Sequence, residues 1–225
     1  MDIGQGANTV ISQIAADALG VPVHSLSLID GDTDRTPDCG KTSASRQTFV
    51  SGKAALLAGR ALREVILRHG NVSDDASILI DGAEVRLVDN AAGGTASIDL
   101  SSLPVNAHGY VFMAEETYDP PTTPLDENGQ GAPYAVYGYG AQMIELVVDI
   151  GLGQVRLEKM TTAHDVGRAI NPLLVEGQIE GGAAQGIGLA LMEDYLPGRT
   201  ENLHDYLIPT IGDVPLFEHV IVEVA

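Results

Sequence analysis

The 225-residue chain has one cysteine, Cys39, no tryptophan and three phenylalanines. A lone cysteine excludes an internal disulfide and any zinc or iron–sulfur site built from this chain's cysteines alone. Cys39 reads as an inert thiol, and so few thiols point to a reducing compartment. Aromatics are 4% of residues against 44% for the hydrophobic set, so a core here is built from aliphatics and alanine. Basic residues are also scarce: 12 Lys+Arg stand against 31 Asp+Glu, a formal net charge of −19. So acidic a surface repels nucleic acid and anionic membranes, which are not expected as partners. The acidic residues are dispersed, so the charge does not imply disorder. No apolar run is long enough to span a bilayer, and no basic segment with an apolar run opens the chain. A cytoplasmic protein is the expectation.

Familiar nucleotide and metal signatures are missing too. Gly4-Gln5-Gly6 and Gly186-Ile187-Gly188 do not complete GxGxxG, because positions 9 and 191 are Thr and Leu. There is no Walker lysine pattern, and the six histidines show no HExxH spacing.

What is present is a mixture of helical and strand periodicities. A helix is expected after Gly6, capped by Asn8 or Thr9, running to about Leu19 and stopped by Gly20. Residues 21–28 alternate like a strand, and Asp30-Gly31-Asp32 is a turn. Ser43 or Ser45 opens a long helix ending near His69-Gly70. Strands at 77–80 and 84–88 are joined by Asp81-Gly82, a hairpin signal. Residues 91–95 read as a loop, and 110–118 as a strand. Residues 136–150 and 154–162 read as two long strands with a turn at 151–153. A helix follows over about 173–195, and a last strand starts near Phe217. The fold class is α+β, with mixed sheets and packed helices. Residues 1–118 read as a first subdomain, the Pro/Gly-rich stretch 119–133 as a loop or linker, and 134–225 as a second subdomain, incomplete at its carboxyl end.

The most informative stretch runs from His164 to Asp194. The turn Val166-Gly167-Arg168-Ala169-Ile170-Asn171-Pro172 leads into a helix pattern with Gly177, Gly181, Gly182, Gly186 and Gly188. An interior helical glycine costs about 1 kcal/mol against alanine. That cost makes sense if something must approach the backbone closely, where a Cβ would intrude. Gln178 and Gln185 are seven residues apart and so face one side of the helix. Their amides offer donors and an acceptor suited to a polar heterocyclic ligand. Gln178 is read as structural, and His164-Asp165 as part of a turn that positions the helix.

This stretch resembles the molybdenum-binding subunit of the xanthine dehydrogenase (molybdenum hydroxylase) family. Three more segments match in order. They are Asp2-Ile3-Gly4-Gln5-Gly6, Thr42-Ser43-Ala44-Ser45-Arg46-Gln47 with Gly52-Lys53-Ala54, and Tyr206-Leu207-Ile208-Pro209-Thr210 with Asp213-Val214-Pro215. The resemblance implies a molybdenum–molybdopterin cofactor, with the cytosine dinucleotide form as one option. It implies that Ile3, Gly4, Gln5 and Gly6 contact it, with Gln5 close to the metal's oxygen or sulfur ligands. It assigns Ala44, Ser45, Arg46 and Gln47 to its phosphate or pyrophosphate, and Gln185 to a ligand of the metal. On physics alone, Gly4-Gln5-Gly6 before a helix is a fair anion site or a tight turn, and Ser43-Ala44-Ser45 is a helix start.

The family's activity is hydroxylation of a nitrogen heterocycle (here faintly purine- or nicotinate-like) or an aldehyde, with water as the oxygen source. Its metal is held by the pterin's sulfurs, so no protein ligands to the metal are expected. Its general base is a glutamate in a Gly-Glu-Pro motif, and no Gly-Glu-Pro occurs here. No catalytic residue is therefore assigned. The chain is read as a fragment, inactive alone, or as a piece of a split subunit. The iron–sulfur (2Fe-2S) and FAD groups are expected on other domains or subunits, which with the rest of the molybdenum subunit are the expected partners. A non-catalytic remnant or binding module without molybdenum is the other reading.

Overall fold

The computed structural model describes residues 2–89, 91 and 93–224. Met1, Asn90, Ala92 and Ala225 touch the readings for the opening loop, the small-residue stretch and the closing strand, and lie outside the described residues. The chain divides into two compact units, Met1–Pro133 and Tyr134–Ala225.

The first unit packs two helices, α1 (Ala7–Leu19) and α2 (Gln47–Gly70), with a sheet of β1 (Ser77–Asp81), β2 (Glu84–Val88) and β3 (Thr95–Asp99). The sheet is antiparallel in the order β1-β2-β3. Its inward residues Ile78, Val85, Leu87 and Ile98 meet Leu19, Val21, Ile66 and Leu67 in one aliphatic core. Gly20 ends α1 in a left-handed conformation (φ 82°) and returns its N–H to Ala16.

Several expectations fail here for local reasons. Neither Asn8 nor Thr9 caps α1: Gly6 occupies the N-cap, and the Asp2 carboxylate takes the Asn8 N–H from outside the helix. Neither Ser43 nor Ser45 caps α2. Arg46 is the N-cap residue and its side chain makes no cap bond, and Ser45 is left-handed, far from the extended backbone a capping hydroxyl needs. Residues 21–28 hold a 3-10 turn at Val23–Ser25 instead of a strand, since Pro22 removes a ladder donor. Residues 110–118 form no strand. There the Asn106 side chain accepts from the His108 and Tyr110 N–H groups, and Phe112 packs edge-on against His69. A strand not anticipated, β3, has only Ile98 buried.

The second unit holds β4 (Tyr139–Asp149), β5 (Gln154–Asp165), α3 (Pro172–Leu191) and β6 (Leu216–Val222). β4 and β5 form an antiparallel hairpin, whereas β5 and β6 pair in parallel, so this sheet is mixed. A parallel pair needs a crossover, and α3 lies within it. Asn171 caps α3 by accepting from the Leu174 N–H at 3.2 Å, with Pro172 at the first turn. The helix ends at Leu191, short of Tyr195, because Glu193 leaves it to accept from the Tyr206 hydroxyl. Ala183, Ile187 and Met160 form a small core with Leu157 and Phe217 against it. The chain is thus α+β, with mixed sheets and packed helices. No helix among the described residues is long and apolar enough to cross a membrane.

Candidate cofactor site

The amino ends of α1 and α2 are the most distinctive place in the first unit. The two helices approach closely because glycines on α2 face α1. A Cβ at Gly52 would stand 2.8 Å from Ile14 Cδ1, and one at Gly59 would stand 2.8 Å from Ala18 Cβ and 2.9 Å from the Ala15 carbonyl. Further along, Arg63 donates to the Leu19 carbonyl at 3.1 Å. The contacts advance together along both helices, so α1 and α2 run parallel with their amino ends side by side. Each end carries about half a positive charge from the aligned peptide dipoles. Gln5 Nε2 donates to Gln47 Oε1 at 2.6 Å and ties the two ends together.

The two ends are not equivalent. At α1 the anion is already supplied by the chain. Asp2 Oδ1 accepts from the Gly4 N–H at 2.8 Å, and Oδ2 from the Asn8 N–H at 3.0 Å. These N–H bonds, that from Asn8 foremost, hold the Asp2 carboxyl below the usual carboxylate range. Gln5 Oε1 takes the Ile3 N–H at 2.7 Å, so the Gly4-Gln5-Gly6 loop is internally bonded, with Gly4 and Gly6 at φ 107° and 82°. At α2 the first turn holds no acidic residue, and the N-cap residue, Arg46, makes no side-chain cap bond. The approach to it is strained: Ala44 (φ 63°) and Ser45 (φ 48°) are consecutive left-handed residues with a Cβ. Each costs about 1–2 kcal/mol, and such strain gathers where a ligand is gripped. Ala44, Ser45 and Arg46 are exposed, and Gln47 is partly buried.

The structure therefore brings Ile3, Gly4, Gln5 and Gly6 together with Gln47, and Ala44, Ser45 and Arg46 lead directly into that residue. Gln185 belongs to the second unit. On α3, Ala183 and Ile187 face the sheet, whereas Gln178 and Gln185 are exposed on the opposite side with Gly181 and Gly182 between them. A Cβ at Gly177, Gly181, Gly182 or Gly186 would meet no atom within 4 Å. Gly188 differs, since a Cβ there would collide with Glu193 and Pro209. Asp2 was missed as a site-shaping residue. Its signal was a carboxylate placed directly before glycine N–H groups. The exposed Cys39 takes no part.

In the first unit, backbone N–H donors at the start of α2 and a guanidinium suit an anionic group; in the second unit, by itself, glutamine amides beside a glycine face suit a polar one. The comparisons with known proteins agree. The molybdopterin cofactor-binding domain family matches residues 1–215. A putative xanthine dehydrogenase molybdenum-binding subunit, XdhA, from Escherichia coli K12 is 35% identical across 99% of this chain and 30% of its own length. The aldehyde oxidoreductase structure from Desulfovibrio desulfuricans matches at TM-score 0.76 and 30% identity, over 98% of this chain and 22% of that one. Quinoline 2-oxidoreductase from Pseudomonas putida 86 matches at TM-score 0.71 and 27% identity, over 100% and 29%. The chain spans less than a third of the length of these proteins. It belongs to the molybdopterin cofactor-binding domain family.

Proposed function

We propose that this chain forms part of the wall around molybdopterin in an oxidoreductase that hydroxylates a nitrogen heterocycle, purine- or nicotinate-like, or an aldehyde, with water as the oxygen source. The observation that carries this reading is the paired, parallel amino ends of α1 and α2: among the described residues Asp2 occupies the first, and no acidic residue lies in the first turn of the second. The end of α2 is then the place for the cofactor's phosphate, or for the pyrophosphate of a cytosine dinucleotide form. There the strained Ala44-Ser45 turn presents backbone N–H groups, and Arg46 offers a planar fork to the oxygens. Gln5 and Gln185 orient the pterin and metal end by hydrogen bonds from their amides, and the bare face of α3 lets a flat ring system approach its backbone. When bound, the cofactor supplies the metal centre at which the substrate carbon is oxidised.

The remaining parts come from elsewhere in the enzyme. No Gly-Glu-Pro segment is present to supply the general base, so the 225 residues by themselves turn over no substrate. Electron transfer would fall to 2Fe-2S and FAD groups held by other domains or subunits. Exposed apolar surface supports such an assembly. Strand β4 is exposed along its whole length, including Met143 (58%) and Val148 (51%), apolar groups that a partner surface would cover. The working place is the cytoplasm.

Molybdenum per chain, measured by elemental mass spectrometry on natively purified protein with its companions, tests this function. Near-stoichiometric metal is expected. Metal-free protein alongside fully loaded relatives prepared in the same way would overturn it.

A further inference from the structure

One polar chain links the mixed sheet to α3 and has no part in the site described above. Thr162 in β5 is wholly buried (0% exposed), and its hydroxyl lies 2.9 Å from His219 Nδ1 in β6. The two residues are register partners in the parallel β5–β6 pair. The ring's other nitrogen, Nε2, lies 3.1 Å from Glu180 Oε1 in α3. The His219 side chain is 10% exposed and stacks on Phe217 with centroids 5.7 Å apart and planes 11° from parallel.

With the His219 ring neutral, the direction of these bonds follows from the carboxylate. An ionised Glu180 only accepts, so Nε2 carries the hydrogen. In the neutral ring Nδ1 is then bare and accepts the Thr162 hydroxyl, which satisfies a group with no access to water. The tautomer is thus set from both sides of the ring.

Among the described residues, the apolar seat of α3 on the sheet is small. Its buried residues are Ala183, Ile187 and Gly188, small or flexible groups whose apolar contact is non-directional. Glu180, Ala183 and Ile187 share one helical stripe, while Gln178, Gly181 and Gln185 lie on the other side. A slip of one residue about the helix axis would turn Gln185 by about 100°. A hydrogen-bonded carboxylate on the sheet-facing stripe opposes that slip.

We propose that His219 is a positioning residue: by donating to Glu180 while accepting from Thr162, it sets the rotation of α3 and so the direction of Gln185. The seating of α3 stands on these contacts alone, and the consequence for the cofactor rests on the function proposed above.

The test uses the full chain, purified natively, as wild type, Glu180→Ala, Glu180→Gln and His219→Phe. Glu180 is half exposed (50%), so its variants fold even if His219→Phe does not. Ring 15N NMR is expected to show His219 protonated at Nε2 and bare at Nδ1. Hydrogen exchange across α3 is expected to quicken about five- to tenfold in Glu180→Ala. It should stay within about twofold of wild type in Glu180→Gln, whose amide oxygen still accepts. The Gln185 side-chain amide resonances should move in Glu180→Ala and return in Glu180→Gln, as should molybdenum content. An Nδ1-protonated ring, or α3 exchange unchanged in Glu180→Ala, overturns the positioning role. Faster exchange with molybdenum content unchanged keeps the seating and instead overturns the assignment of Gln185 to the cofactor.

Discussion

Gln5 and Gln47, 42 residues apart, share a side-chain hydrogen bond of 2.6 Å that joins the amino end of α1 to that of α2. It is the polar fastening of two helices already held close by Gly52 and Gly59. A double-mutant cycle with Gln5→Ala and Gln47→Ala, read by urea unfolding, should give a coupling of about 0.5–1.5 kcal/mol. Additive losses would mean that the fastening contributes nothing.

Acid should loosen the opening loop. The carboxyl of Asp2 is held below its usual range by the N–H groups of Asn8 and Gly4. A depressed folded value stabilises the loop at pH above the ordinary carboxylate range, and that contribution is lost as pH falls through the folded value. Amide exchange at Gly4 and Asn8, corrected for intrinsic rate, should therefore rise only below about pH 4. In Asp2→Asn the amides should exchange faster throughout, with no such step. An unaltered step in Asp2→Asn would assign it to another group.

Two glycine-to-alanine changes should act in opposite directions. Gly59→Ala drives a methyl into Ala18 and the Ala15 carbonyl and should destabilise the first unit by about 1–3 kcal/mol. Gly181→Ala meets open space and should gain up to about 1 kcal/mol from helix propensity. It should nevertheless lower molybdenum content, because the added methyl stands on the face reserved for the cofactor. A Gly181→Ala protein that keeps full molybdenum would remove the reason for the glycines.

Arg46 should matter for loading and not for folding. It is exposed, so Arg46→Ala should shift stability by less than about 0.5 kcal/mol. Cofactor retention through dialysis should drop several-fold, and Arg46→Lys should restore it only in part, since an ammonium lacks the planar fork. Equal retention in all three proteins would place the phosphate away from Arg46.

Long periodic elements were legible in the sequence, and places where side chains compete with the backbone were not. The helices now bounded as α1, α2 and α3, the β1–β2 hairpin and the long strands β4, β5 and β6 follow from apolar spacing and glycine stops. β3 escaped because Thr95, Ser97 and Asp99 are polar and a single residue, Ile98, is buried. Residues 21–28 misled because alternation around Pro22 imitates a strand. At the candidate site, motif resemblance named the segments, but the hydrogen bonds among them are three-dimensional. That Asp2 supplies the anion for α1, while the first turn of α2 has no acidic residue, depends for its meaning on hydrogen bonds that spacing does not encode. His219 had no signal at all, because its partners Glu180 and Thr162 lie 39 and 57 residues away.

The most direct measurement is a crystal structure of the natively loaded protein in its assembly, with the cofactor's phosphate located by its density. The account predicts phosphate oxygens at about 2.7–3.0 Å from backbone N–H groups leading into α2, within the segment Ala44 to Gln47 and beside Arg46. A cofactor whose phosphate lies elsewhere, with the amino end of α2 facing only water, would contradict it.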